Sequence, residues 1–286
     1  MVLKLEDIAV FIANWENKVD NIRTIREILN IGYDSMVFLD DNPFERNMVR
    51  EHLPDLTVPE LPEDPGLYLE YLYSLNLFET ASFSHADQER TRQYQVQTLR
   101  TSAAKTFTNE EDFLKSLHMV SEVTALNKFN TPRVAQLSQR SNQFNLRTIR
   151  YTEDQLASIE KDHNYASFCF TLEDKFGDNG LIGVIILQQE DTRTLFIDSW
   201  FMSCRVLKRG MEDFMLNTIV DYAQKKGFER IIGEYLPTRK NEMVAHLYDK
   251  LGFTALTSTE TKKYQLDVAS YNLHKCHITT QSNGKN

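Results

Sequence analysis

Over residues 1–80, apolar positions fall into short continuous runs separated by helical stripes. Ile8–Ala13 (IAVFIA) and Ser35–Leu39 (SMVFL) have the length and composition of buried strands. Between them, a helix starting at Asp20 puts Ile22, Ile25, Ile28 and Leu29 on one face, and Asn30–Ile31–Gly32 ends it. Phe44 to His52 reads as a second helix and Val58–Pro62 as an extended segment. Strand, helix, strand, helix, strand is the order of a parallel, doubly wound sheet. From Pro65 to about Glu110 the pattern is helical, with Tyr68, Leu69, Leu72, Leu75 and Leu77–Phe78 recurring. Ser84–Lys105 is polar, with Tyr94, Val96 and Leu99 interspersed, as in an exposed connector helix.

The period changes after His118. Met119–Leu126 predicts a strand, Thr131–Pro132 opens a helix, and Tyr151–Asp154 begins another. Ser167–Asp174, Leu181–Gln189 and Leu195–Ser203 predict three strands joined by turns short enough for antiparallel hairpins. A helix at Glu212–Lys225, a strand at Arg230–Leu236, a helix at Asn241–Leu251 and a strand near Tyr264–Val268 follow. The expected class is α/β: a Rossmannoid portion over 1–80, a helical connector over 81–117, a mixed-sheet domain over 118–270 and a frayed tail over 271–286.

A net charge of -9 argues against general nucleic-acid binding, which needs a basic face. No window reaches the roughly 20 apolar residues of a membrane span. Glu6 and Asp7 precede the first apolar run, so no export signal is expected. The three cysteines form neither a disulfide framework nor a metal-ligand spacing, and a cytoplasmic location is expected.

Candidate chemistry concentrates in FIDSWFMSCRVLKRGMEDFML (Phe196–Leu216), a strand, a cationic turn and a helix start. The first amides of a helix have no internal partners and attract anions, and Arg205, Lys208 and Arg209 add full charges beside Gly210 and Met211. A solvated basic turn is the alternative. Asp40 and Asp41 end a predicted strand, where two carboxylates fit a Mg²⁺ site or simply cap the turn and the next helix. Asn142, Gln143, Asn145 and Arg147 can hydrogen-bond a carboxylate or phosphate, or satisfy their own loop. Asp178 is a general base or a turn former. Cys204 is an acyl-carrying thiolate beside Arg205 or a small packed side chain.

FLDDNPFER (Phe38–Arg46), with NWENK (Asn14–Lys18) before it and VPELPEDP (Val58–Pro65) after it, resembles the FkbH-like family, a branch of the HAD phosphatase-like superfamily. The resemblance implies that Lys18 binds phosphate and that Asp40 and Asp41 stand on the Mg²⁺ side. The family's nucleophile motif, D-x-D-x-T, is absent from the sequence, so residues 1–80 resemble the C-terminal part of a HAD domain. Phosphatase activity by phosphoaspartate is not expected. A separate N-terminal HAD fragment or a homodimer through an open sheet edge are the implied partners.

The element order after 118 resembles the GNAT acyltransferase fold. There the strand, turn and helix hold the pyrophosphate of coenzyme A or an acyl-carrier phosphopantetheine. The family's Q/R-x-x-G-x-G/A stands here as Arg205-x-x-Lys208-x-Gly210, with lysine for the first glycine. Asn241 and Tyr248, in NEMVAHLYDKLGF, match the closing motif, in which the tyrosine protonates a departing thiolate; a packed helix aromatic is the alternative for Tyr248. SNQFNLRTIRYT (Ser141–Thr152) and DKFGDNGLIG (Asp174–Gly183) match the FkbH-like family again. The resemblance implies a bacterial polyketide-type pathway that loads a glyceryl-type acyl group onto an acyl carrier protein. Either this chain transfers the acyl group, or it only docks the carrier or a partner enzyme.

Overall fold

The structure, a computed structural model, describes residues 4–79, 90–256 and 262–281, which divide at Thr106/Phe107 into two compact units. In the first, helix α1 (Lys18–Leu29) starts where Asn17 accepts a hydrogen bond from the Asp20 amide at 2.8 Å, and it ends with Asn30 left-handed at φ 51°. Helix α2 (Pro43–His52) has Asn42 as its cap and proline in its first turn. Val19 and Ile22 of α1 meet Val49, Leu53 and Leu56 in a small core. Helix α3 (Tyr68–Ser74) stops short of the predicted Phe78, with Asn76 left-handed at φ 50°.

The strands expected in this unit are mostly unrealised. The predicted run Ser35–Leu39 makes a single parallel bridge, Val37 to Thr57, and Ile8–Ala13 has no ladder partner among the described residues. A strand exists only through its neighbour's hydrogen bonds. Here the carbonyls of Glu6 and Ile8 instead accept from the Gln95 side chain at 2.9 and 3.0 Å. Gln95 belongs to helix α4 (Arg90–Ala104), so this helix is not the solvated connector that its polarity suggested; its Arg100 is 3% exposed. The start predicted at Ser84 lies outside the described residues.

The second unit opens with helix α5 (Glu110–Ser116) and strands β1 (Met119–Ser121) and β2 (Val123–Thr124). The predicted strand Met119–Leu126 is therefore split at Glu122, whose carbonyl accepts from the Thr171 amide at 3.0 Å. Helices α6 (Thr131–Arg140) and α7 (Glu153–Lys161) follow, the latter capped reciprocally by Thr152 and Gln155. Strands β3 (Tyr165–Asp174), β4 (Gly177–Gln189) and β5 (Thr194–Met202) form an antiparallel meander. Helix α8 (Met211–Lys226), strand β6 (Arg230–Tyr235), the short helix α9 (Leu247–Lys250) and strands β7 (Thr254–Ala255), β8 (Lys262–Asp267) and β9 (Ile278–Thr280) complete it.

The sheet runs β7-β8-β6-β5-β4-β3-β1-β9, with β2 also on β3. The tail expected to fray instead adds β9, parallel to β1 from Met119–Ile278 to Ser121–Thr280, because β1 presents an edge that needs a partner. One sheet face packs Trp200, Met202 and Ile185 against Met211, Met215 and Ile219 of α8. The other packs Val184, Ile186 and Phe201 against Val134, Leu137 and Leu156. Alternation along β5 sends Trp200 and Phe201 to opposite faces, and full burial of side chains this large contributes roughly 2–3 kcal/mol each.

Two features shape the middle of the sheet. The β4–β5 register slips between Ile186–Ser199 and Leu187–Ile197, making Asp198 a bulged residue. The parallel β5–β6 pairing covers only Thr194–Phe196 against Arg230–Ile232, after which the two strands separate. A bulge bends and over-twists its strand, so the fork follows from it. Beside the fork, Gly233 of β6 lies under the Tyr248 ring. A Cβ there would collide with that ring and sit 2.7 Å from its hydroxyl. Gly233→Ala is expected to cost about 1–3 kcal/mol through overpacking, measured as a lower urea midpoint with unchanged slope.

Candidate functional site

The turn between β5 and α8 is where an anion cradle is expected. Cys204–Val206 form one 3-10 turn, held by Ser203, whose hydroxyl accepts from the Arg205 amide and side chain at 3.4 and 3.1 Å. Lys208 (φ 61°) and Gly210 (φ 72°) are both left-handed. Lysine in that region costs roughly 1–2 kcal/mol relative to the ordinary basin, so the turn keeps its shape where the family uses glycine. The Lys208 side chain is exposed, beside the N-terminus of the 16-residue α8.

Arg209 does not belong to that cradle. It is 4% exposed, pairs with the buried Asp174 carboxylate at 3.1 Å and donates to the Arg205 carbonyl at 2.9 Å. Its role is to tie the turn to the end of β3. The cavity over the turn, about 560 Å³, is lined by Lys208, Gly210, Lys275 and His277 but also by Glu110, Glu111, Glu212 and Asp213. Glu111 is neutralised by Lys115 and Lys275 at 2.8 and 2.6 Å, which pull its pKa down to about 2. Asp213 contacts His274 at 2.7 Å. Burial raises the Glu212 pKa, with Asp213 adding to the effect. The lining is mixed in sign rather than simply basic.

The fork between β5 and β6 is filled by the chain itself. The Leu146 amide donates to the Trp200 carbonyl (3.2 Å), the Met202 amide to the Phe144 carbonyl (3.0 Å), and the Leu236 amide to the Leu146 carbonyl (2.9 Å). Phe144–Leu146 thus substitutes for the missing pairing, with Asn145 bridged to Phe201. Asn145 and Asn241 are fully buried. Asn241 donates to the Asn145 and Leu236 carbonyls at 2.9 Å each, and Asn145 accepts from the Thr148 amide at 2.8 Å. Asn145 and Asn241, two of the three asparagines expected to bind ligand, are thus engaged within the protein. Asn142 is engaged by Arg150, and Gln143 has its side-chain oxygen buried without a hydrogen-bond partner among the described residues.

Arg147, expected to bind substrate, is held within the protein. Its guanidinium donates to Glu234 at 2.8 Å and to the Asp198 carboxylate and carbonyl at 2.8 and 2.6 Å, while lying 4.8 Å over the Phe196 ring. The Tyr151 hydroxyl reaches Asp198 and Ser199, each at 2.6 Å; burial, with Asp198 beside it, drives its pKa upward. Sequence reasoning missed Asp198, Glu234 and Tyr151. The available signal was a carboxylate interrupting each of two apolar strands, FIDSWF and RIIGEY.

The catalytic candidates are dispersed. Tyr248 is 1% exposed, stacked among Trp200, Phe253 and Tyr264, and burial pushes its pKa far up. Its hydroxyl and the Trp200 indole nitrogen are buried without hydrogen-bond partners among the described residues. Asp178, expected in a turn, lies instead within β4 opposite Glu173, and its carboxylate accepts from the Gly180 amide at 2.7 Å; the hairpin turn falls at Lys175–Phe176. Cys204 is half-buried in the 3-10 turn.

In the first unit, Lys18 and Asp40 do meet, at 3.7 Å, and Asp40 also accepts from the Asn42 amide at 2.9 Å. The Asp41 side chain is exposed. Among the described residues no group of three acidic, His or Cys side chains gathers around one point. Likewise, no helix described is long and apolar enough to cross a membrane.

Residues 131–253 match the Acetyltransferase (GNAT) family, and the chain carries a GNAT acetyltransferase domain there, built on the mixed sheet with its fork. No curated protein matches. Among solved structures, the chain is similar to the N-terminal part of a Bacteroides fragilis protein containing a phosphatase domain, complexed with Mg. That match is 86% identical over 29% of this chain and 22% of that one, with a TM-score of 0.29, so the chain spans well under two thirds of its length. Ribosomal-protein-S18-alanine N-acetyltransferase from Escherichia coli is 16% identical over 54% of this chain and 97% of its own, with a TM-score of 0.41. Spermidine N-acetyltransferase from Vibrio cholerae, in complex with CoA and spermine, is 16% identical over 52% and 96%, with a TM-score of 0.42.

The Arg209–Asp174 pair gives a direct test of the turn's anchoring. Asp174→Ala strands a buried guanidinium and is expected to cost about 3–5 kcal/mol. Asp174→Leu with Arg209→Met should recover much of that loss in a denaturant titration.

Proposed function

We propose that residues 107–281 form an acyl-transferring domain for a pantetheine thioester, carried by coenzyme A or by an acyl carrier protein, with a small glyceryl-type acyl group as cargo. The observation that carries this reading is the turn ahead of α8: Lys208 and Gly210 are both left-handed and the Lys208 ammonium is exposed. An αL residue before a helix start turns successive amides toward one point, where a phosphate gains hydrogen bonds and the helix field together. Lys208 and the amides of Gly210 and Met211 would hold the pyrophosphate or phosphopantetheine phosphate. When bound, the thioester supplies an activated acyl carbon. The protein's part is to hold the phosphate end at the turn, while the buried Trp200–Tyr248 pair closes the core beside the fork to water. Phosphate hydrolysis is not part of the proposal.

One observation favours a second reading, a module that docks a carrier protein without catalysis. The β5 edge at Trp200 and Met202, along which an extended pantetheine arm would pair, is already hydrogen-bonded to Phe144–Leu146. A ligand must either run beside that segment or stop at the turn.

Calorimetry with coenzyme A and with pantetheinylated carrier protein tests the site. Binding of at least one is expected, weakened about tenfold by Lys208→Glu, the effect of roughly 1.4 kcal/mol. Affinities that neither Lys208→Glu nor Arg205→Ala changes would remove the turn as the phosphate site. Mass spectrometry of the carrier after incubation with an acyl thioester then separates the two readings: acyl transfer identifies the enzyme, and binding without transfer the docking module.

A further inference from the structure

Asp198 and Glu234 stand on the two strands that diverge at the fork, half-buried at 17% and 12% side-chain exposure. Two such carboxylates close to one another would attract a cationic amine by charge and by hydrogen bonding. The protein supplies the cation itself. Arg147 reaches both carboxylates at 2.8 Å, and Tyr151 takes the second oxygen of Asp198 at 2.6 Å. On the same side, Lys263 of β8 lies opposite Glu234 and 6.0 Å from the Phe196 ring, and Tyr165 feels the Asp198 charge. The two acidic groups are thus matched by two basic ones.

Arg147 cannot readily leave. It follows Leu146, which is hydrogen-bonded to both Trp200 and Leu236. The next residue, Thr148, is left-handed at φ 54° with its amide on Asn145. The insertion that fills the fork therefore also delivers the guanidinium. Since arginine does not deprotonate in proteins, the charge is permanent.

We propose that Arg147 is a specificity-determining residue. It occupies the cation position between Asp198 and Glu234, so this site rejects protonated amine acceptors and serves a neutral nucleophile, a thiol or hydroxyl. The proposal rests on the acyltransferase reading for its biological sense, but its physical content is a matter of binding. An incoming ammonium would meet a like charge and carboxylates already paired through both Asp198 oxygens and Glu234 Oε2.

The test uses the full chain and 1,4-diaminobutane as the cation, followed by calorimetry at low salt. Wild type is expected to show no measurable binding. Arg147→Gln should bind the diamine at least tenfold more tightly than wild type, and adding Asp198→Asn and Glu234→Gln should abolish the gain. Arg147→Lys, which keeps a cation, should not gain it. Should Arg147→Gln lose its near-ultraviolet dichroism, the Arg147 Nε–H resonance of the wild type provides the readout: no shift on diamine addition is expected, and a saturable shift overturns the proposal. Diamine binding by wild type within threefold of Arg147→Gln, or acyl transfer from a thioester to the diamine by wild type, also overturns it. A gain in Arg147→Gln without acyl transfer to any acceptor supports the role of Arg147 and removes the acyltransferase reading, so the two fail separately.

Discussion

Insertion of Phe144–Leu146 between two diverging strands is the constraint on which the second unit depends. The bulge at Asp198 bends β5 away from β6, and the bend leaves main-chain groups at Trp200, Met202 and Leu236 without strand partners. Buried amides and carbonyls left unpaired would each cost on the order of 1–3 kcal/mol. The inserted segment satisfies them with three backbone hydrogen bonds, and the buried Asn241 side chain holds the segment from behind. Fork, insertion and charge cluster are consequently one feature. The bulge that widens the sheet also brings in the residues that fill it.

A second constraint acts on the turn. A loop of Cys204 to Gly210 carrying three basic residues would repel itself and fray if all three faced water. Burying Arg209 against Asp174 fixes one end, leaving Lys208 outside and Arg205 half-buried on Ser203. Removal of Arg209 from the exposed set lowers the charge available to an anion. In exchange it holds Lys208 and Gly210 in the left-handed region needed to aim the helix amides. The mixed-sign cavity above shows why counting basic residues overstated the cradle: Glu110, Glu111, Glu212 and Asp213 arrive from α5 and the first turn of α8.

The first unit behaves differently. Its helices form close to the starts that the apolar stripes predict, at Lys18 and Pro43, while among the described residues its expected strands make only one isolated bridge. Helices satisfy their own backbone and need only one apolar face to rest on; strands need a neighbour at about 4.8 Å. Phe11, Trp15 and Phe44 remain exposed, and the polar face of α4 serves as a hydrogen-bonding surface for the carbonyls of residues 6–9. Polarity read along one helix cannot reveal that use.

What the sequence determined by itself is whatever depends on spacing along the chain. The periods of two and 3.6 located β3, β5, α8 and β6 to within two residues and the end of β4, though not its start at Gly177, and the turn before α8 was legible from Gly210 and its basic neighbours. What only the tertiary structure decided is whatever depends on partners distant in sequence. Arg209 met Asp174 and Arg147 met Glu234, so two presumed ligand-binding arginines became internal counter-ions. Asn145 and Asn241 became clamps, Tyr248 became core, and the supposed tail became the strand β9. Side-chain chemistry is written in each residue, but availability is a property of the fold, because a charge or an amide is free only when no other part of the chain has come within hydrogen-bonding reach.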